Sequence, residues 1–210
     1  DIATVSITVT EINDPPVAED YSIVTDEDES ATITLVGTDE DTDDEDLAIE
    51  IIDSTAHGSL ELQGRIFATY VYTPDQDYNG ADTFTYRVFD TVNFQSDTGT
   101  VAITVDPVND APVAVDDPDY ITQEETQLVV DSPGILGNDF DVDDTTLVIV
   151  LINPVAHGEL ELSDDGSFVY TPEDGFSGTD QFYYRLSDGE LTSDIATVSI
   201  TVTEINDPPV

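Results

Sequence analysis

Hydrophobic and polar residues alternate along this chain in short runs, and turn residues separate the runs. In Phe84-Thr85-Tyr86-Arg87-Val88 the apolar side chains face one way and Thr85 and Arg87 the other. Phe182, Tyr184 and Leu186 repeat that face further on, and Thr100–Val105 alternates likewise with β-branched residues. The first half predicts strands at Tyr21–Val24, Ala31–Leu35, Ala48–Asp53, Ser59–Leu62, Phe67–Tyr72, Thr83–Phe89 and Gly99–Val105. Leu62-Gln63-Gly64-Arg65 and Ser163-Asp164-Asp165-Gly166 supply turn chemistry for hairpins. Helical periodicity is absent. Seven strands in about a hundred residues predict an all-β chain built from immunoglobulin-like sandwiches. Tyr86 and Tyr184, early in the sixth strand, take a packing role of the tyrosine-corner kind.

The pattern runs twice. Asn13-Asp14-Pro15-Pro16-Val17 returns as Asn109-Asp110-Ala111-Pro112-Val113, an offset of 96, and His57-Gly58 returns as His157-Gly158, an offset of 100. Tyr72-Thr73-Pro74 and Gly80-Ala81-Asp82-Thr83-Phe84 recur as Tyr170-Thr171-Pro172 and Gly178-Thr179-Asp180-Gln181-Phe182. A repeat of this length fits an independent small domain better than a solenoid unit. Asp1–Val17 reappears verbatim as Asp194–Val210. The chain thus reads as an excerpt from a longer array. Residues 1–12 are expected to be the last strand of a preceding, absent repeat. Residues 13–108 and 109–206 are expected to be the two tandem seven-stranded sandwiches, and 207–210 the start of the next linker.

Charge sharpens this picture. The chain carries 48 acidic residues against three arginines, a formal net charge of −45, yet 39% of its residues are hydrophobic. The regular apolar runs distinguish it from a disordered acidic tail. Such charge opposes compaction unless cations neutralise part of it, and it disfavours nucleic acid and anionic lipid as partners. Without cysteine there are no disulfides or thiolate sites, and without lysine there is no Lys–Asn cross-link. No segment is apolar and long enough to insert in a membrane as a helix. His57 and His157 stand singly in Ala-His-Gly turns, which makes zinc or triad chemistry a poor reading. No catalytic residue is expected.

The acids concentrate in the loop between the second and third strands. Asp39-Glu40-Asp41-Thr42-Asp43-Asp44 and Asp139-Phe140-Asp141-Val142-Asp143-Asp144 share a D-x-D-x-D-D frame. Carboxylates two apart on a loop can converge on a hard cation such as Ca²⁺. An EF-hand is excluded, because Asp44 and Asp144 occupy the place where that loop needs glycine. Simple solvation of a salt-adapted surface is the competing reading, although it does not require a preserved register. Sandwich topology gathers Asp139, Asp141, Asp143 and Asp188 at the N-terminal pole of the second copy. It gathers Glu27, with Asp28 nearby, and Asp82 at the C-terminal pole of the first.

The Val108-to-Asp117 linker, the Gly137-to-Asp144 loop, Asp165–Gly189 and the closing Ala196–Pro209 together resemble bacterial cadherin-like tandem repeats. Those repeats form the extender region of large RTX-type surface adhesins. The resemblance implies a non-catalytic extracellular spacer stiffened by Ca²⁺ at its inter-domain junctions, with neighbouring repeats of the same chain as partners. It implies Glu27, Asp82, Asn109, Asp110, Asp139, Asp141, Asp143 and Asp188 as ligands at the central junction. For the N-terminal junction the corresponding set is Asn13, Asp14, Asp39, Asp41, Asp43 and Asp90. Residues 1–10 are expected to pair along a sheet edge, including that of another molecule. The alternative function is a carbohydrate- or protein-binding sandwich with an acidic, salt-adapted surface, for which Tyr183 in place of Thr85 is the residue to inspect.

Overall fold

The computed structural model describes residues 3–9, 12–43, 46–64, 68–90 and 96–206. The chain divides into two units, Asp1–Val108 and Asn109–Val210. In the first, β2 (Tyr21–Asp26), β9 (Ser96–Asp106), β8 (Gly80–Asp90) and β5 (Leu47–Asp53) form a four-stranded sheet in that order. The facing sheet runs β3 (Ala31–Leu35), β7 (Ala68–Pro74), β6 (Gly58–Gly64). In the second unit β10 (Asp117–Gln123), β16 (Ala196–Thr203), β15 (Gly178–Ser187) and β12 (Val148–Asn153) face β11 (Leu128–Val130), β14 (Phe168–Pro172) and β13 (Gly158–Leu162). Each unit is therefore a seven-strand sandwich of four strands on three.

The predicted alternation is realised as burial. Phe84, Tyr86 and Val88 on β8 pack with Val101, Ile103 and Val105 on β9, all essentially inaccessible to solvent. Phe182, Tyr184, Leu186, Val198, Ile200 and Val202 do the same in the second unit. All six main strand runs expected on described residues are present, and the run begun at Phe67 is present from Ala68. Phe67 itself, Arg65 and Asp44 lie outside the described residues. One pairing escapes the pattern: β1 (Val17–Ala18) meets β4 (Gly37–Thr38), a two-residue ladder too short to show periodicity.

In both units the first strand runs parallel to the last, β2 along β9 and β10 along β16. The tyrosines behave as packing residues, with a difference. The Tyr86 hydroxyl donates to the Glu19 carbonyl at 2.5 Å, just ahead of β2. The Tyr184 hydroxyl instead sits among Asp117, Asp139 and the Ile135 carbonyl.

Residues 3–9 belong to no strand, and Val5, Ile7 and Val9 are 83, 84 and 88% exposed. The same seven letters, Ala196 to Val202, lie in β16 with Val198, Ile200 and Val202 buried between β10 and β15. Strand formation here depends on the flanking strands that supply ladder bonds and a core, more than on the segment's own propensity.

Candidate metal centre

The linker that enters each unit runs against the acidic loop, and β1–β4 holds the two together in the first. Val17 pairs with Thr38 there, and Val113 bridges Phe140 in the second unit. Just upstream, the Asp14 amide donates to Asp41 Oδ2 at 2.7 Å, and the Asp110 amide to Asp143 Oδ2 at 2.8 Å. Asp39 Oδ1 accepts the amides of Asp41 and Thr42 at 2.8 Å. Asp141 Oδ1 accepts those of Asp143 and Asp144 at 2.9 Å.

These contacts correct the sequence register. The repeated frame matches Asp39 to Asp139 and Asp41 to Asp141, whereas the structure matches Asp39 to Asp141 and Asp41 to Asp143. Asp139 accordingly occupies the place of Gly37. Its Oδ1 accepts the Val115 amide and its Oδ2 the Tyr184 hydroxyl, so both oxygens serve the packing of the second unit. Burial holds the Asp139 carboxyl above its ordinary value, against those two hydrogen bonds. Asp43 stands exposed, with its carbonyl accepting the Asp46 amide.

The loop after the sixth strand completes each cluster. Asn13 Nδ2 reaches Asp90 Oδ2 at 3.4 Å, and Asn109 Nδ2 reaches Asp188 Oδ2 at 2.8 Å. Asp188 Oδ1 accepts the amides of Glu190 and Leu191. The Asn109 side chain, then the two amides, hold the Asp188 carboxyl below its usual range. The structure thus brings together Asn13, Asp14, Asp39, Asp41 and Asp90 in one unit, and Asn109, Asp110, Asp141, Asp143 and Asp188 in the other. Each set holds four aspartates and one asparagine, linked by the backbone-amide and asparagine hydrogen bonds given above.

One observation tests whether a hard cation fits these residues. Asp39 Oδ2 and Asp141 Oδ2 are buried and have no hydrogen-bond partner among the described residues. A buried carboxylate oxygen without a donor costs desolvation energy that nothing recovers. The same oxygen is orphaned at structurally matched positions in both units, beside further carboxylates. An all-oxygen donor set of this kind suits Ca²⁺, which takes six to eight such ligands. The residues fit.

At the opposite pole of the first unit, two expected ligands part company. Glu27 is buried, and its Oε1 accepts the Val108 amide at 2.6 Å while Asn79 Nδ2 approaches Oε2 at 3.4 Å. Glu124 repeats this with the Ile205 amide at 2.5 Å. Asp82 is different. Its Oδ1 accepts the amides of Ala56 and Thr83, and its Oδ2 the His57 amide and the Tyr72 hydroxyl, at 2.8–3.1 Å. Burial pushes its carboxyl up, but those hydrogen bonds outweigh burial and leave it below the ordinary value. With both oxygens occupied twice, Asp82 is a turn lock and has no lone pair to offer. Asp180 locks Ala156, His157, Gln181 and Tyr170 identically. The histidines stack on Tyr78 and Phe176 at 4.2 and 4.3 Å between ring centres, which makes them packing residues of the same turns.

Family profiles match these two units separately. Residues 13–104 match the bacterial Ig domain, and residues 109–204 match the bacterial cadherin-like domain. The first unit is thus similar to bacterial Ig domains and the second to bacterial cadherin-like domains. Among solved structures, Drosophila N-cadherin EC1-4 aligns with 91% of this chain and 50% of its own at TM-score 0.60 and 15% identity. Human protocadherin-24 EC1-2 aligns with 92% of this chain and 100% of its own at TM-score 0.57 and 19% identity. At such identities the likeness shows the fold. This chain is 29% identical over 140 residues to integrin beta-like protein C of Dictyostelium discoideum, covering 57% of this chain and 7% of that protein. It is 28% identical over 145 residues to extracellular matrix protein 3 of Lytechinus variegatus, covering 60% and 4%. The chain therefore spans less than a tenth of either relative.

Proposed function

We propose that this Ig and cadherin-like pair is a non-catalytic extender within an extracellular adhesion protein, stiffened by Ca²⁺ at its acidic linker–loop clusters. The observation that carries this reading is the matched pair of orphaned oxygens, Asp39 Oδ2 and Asp141 Oδ2. A divalent cation there relieves their desolvation and the mutual repulsion of four carboxylates. Asp14, Asp41 and Asp90 with Asn13 would share the ion in the first unit, and Asp110, Asp143 and Asp188 with Asn109 in the second. Glu27 holds the chain where it leaves the first unit, through the Val108 amide. The matrix- and integrin-like names of the relatives favour an extracellular setting, and a surface-adhesin stalk of the RTX kind is the specific setting we infer.

Sites of this class in extracellular modules bind with Kd of roughly 10⁻⁴–10⁻³ M, matched to calcium outside cells. Isothermal titration of the whole chain with Ca²⁺ should give binding in that range, weakened in both Asp39→Asn and Asp141→Asn. Small-angle scattering should show a smaller maximum dimension, or a broader spread of dimensions, in EGTA. Absence of binding heat together with unchanged scattering refutes the proposal. The carbohydrate-binding alternative has less to rest on, since the Tyr183 hydroxyl is held by Gln181 Oε1 at 3.0 Å.

A further inference from the structure

The two four-stranded sheets end on four edge strands: β2, β5, β10 and β12. An edge presents a row of backbone donors and acceptors that another strand can pair with, and proteins protect such edges with charge or proline. β2 carries Asp26, β5 carries Glu50 and Asp53, and β10 carries Asp117, Pro118 and Asp119. β12 reads Val148-Ile149-Val150-Leu151-Ile152-Asn153, with neither charge nor proline. Val148, Val150, Leu151 and Ile152 are 56, 39, 42 and 37% exposed. Among the edges of the two four-stranded sheets this is the exception.

Matched register shows what was replaced. Glu50 lies opposite Arg87 across β5–β8 and forms an ion pair with it. Val150 lies opposite Arg185 across β12–β15. Among the described residues Arg185 makes no ion pair, and its guanidinium reaches the Thr192 hydroxyl at 3.5 Å. A cation thus stands uncompensated beside the uncharged edge.

We infer that the β12 edge of the cadherin-like domain is a lateral association site for a second copy of this chain, joined β12 to β12 in antiparallel fashion. Three arguments select a second copy. An antiparallel pair of like strands is its own two-fold complement, so β12 needs no co-adapted partner. Branched aliphatic residues opposite one another are favourable cross-strand pairs. Charge decides the location: two chains this acidic repel over most of their surface, and this edge combines neutral side chains with a free arginine that attracts the partner's acids. A six-residue ladder buries far less than the ~1,200 Å² of a stable interface, so each contact is weak, with Kd of order 10⁻⁴–10⁻³ M. Repetition along an array would multiply it through effective concentration.

Sedimentation velocity on the whole chain, from ~10 µM to ~1 mM at physiological salt, tests the inference. It is run in EGTA and again in Ca²⁺, so that it does not depend on the metal reading. The expected result is a reversible monomer–dimer equilibrium in both conditions. Val150→Glu, which copies the protected edge of the first unit, should raise Kd at least tenfold with an unchanged circular dichroism spectrum. Val150→Cys, the sole thiol in a chain without cysteine, should form a disulfide-linked dimer on oxidation. Doubly substituting Val5→Asp and Ile7→Asp should leave association unchanged. A monomer across the whole range overturns the inference, as does association indifferent to Val150→Glu. Loss of association in the Val5/Ile7 variant also overturns it, by placing the contact at residues 3–9.

Discussion

Replacing Asp82 by asparagine should destabilise the first unit by about 3 kcal/mol, and calcium should not alter that cost. The native carboxylate accepts four hydrogen bonds, two on each oxygen. Asparagine keeps one oxygen for the Ala56 and Thr83 amides but turns an NH₂ group toward the His57 amide. That amide is then an unsatisfied donor in a part-buried hydrogen-bond position, at a cost of about 1–3 kcal/mol. The Tyr72 hydroxyl retains the His57 carbonyl as acceptor at 3.1 Å, so its loss is smaller. Loss of charge assistance on the two surviving amide bonds adds about 1 kcal/mol. In a domain of about a hundred residues, 3 kcal/mol lowers Tm by roughly 12–24 °C. The assay is calorimetric unfolding of wild type, Asp82→Asn and the matched Asp180→Asn, each in EGTA and in Ca²⁺. Because the folded-state carboxyl lies below its ordinary value, its stabilisation is present above the unfolded pKa, near 3.8. It is lost as pH falls through the folded value, so wild type and variant should converge in acid. A penalty that grows in Ca²⁺, or a lost calcium equivalent in titration, would refute the turn-lock assignment and return Asp82 to the ligands.

The second unit should respond to pH in the opposite sense. Burial, with the neighbouring Asp139 charge adding to it, raises the Asp117 carboxyl to about 7. Its raised folded value makes the native state bind the extra proton between about 4 and 7, so stability falls as pH rises through that window, by up to roughly 4 kcal/mol. Asp117→Asn should flatten this dependence and raise Tm at pH 8; a steeper dependence in the variant contradicts the assignment. Gly158→Ala should cost at least about 2 kcal/mol, because a Cβ there would lie 2.4 Å from the Thr171 carbonyl oxygen. An unchanged denaturant midpoint for that variant would show that the β13–β14 contact can open.

The sandwich was legible because its core strands alternate cleanly, as Phe84, Tyr86 and Val88 show when they fall one by one into the interior. The acidic loop was legible in place but not in register. A frame with Asp at every second position looks the same after a slip of two residues, so Asp39 matched Asp139 and Asp141 equally well by letters. The β1–β4 ladder breaks that degeneracy through backbone pairing that a two-residue strand cannot advertise. The inward turn of Asp82 was not legible for a related reason. Among 48 acids, nothing in the letters marks the few turned inward. The clue was its company: Tyr72 and Asp82 recur with Ala-His-Gly as Tyr170 and Asp180, a combination that a surface ligand does not require. Asp117 and Glu124 gave no such clue, since their burial depends on how the first strand of the unit settles against the last.

That first strand has a mechanical consequence. In each unit the chain enters along β2 or β10 and leaves along β9 or β16, and the entering and leaving strands are parallel neighbours. A pull on the two ends of a unit therefore drags these strands past each other along their length. The load falls on the whole row of ladder bonds at once, from Tyr21–Val101 to Asp26–Asp106 in the first unit, where an antiparallel terminal pair would unzip bond by bond. The Glu27 and Glu124 carboxylates hold the chain just beyond the leaving end of that row. A unit of this topology resists tension by shear, and it would yield abruptly at a high force after little extension.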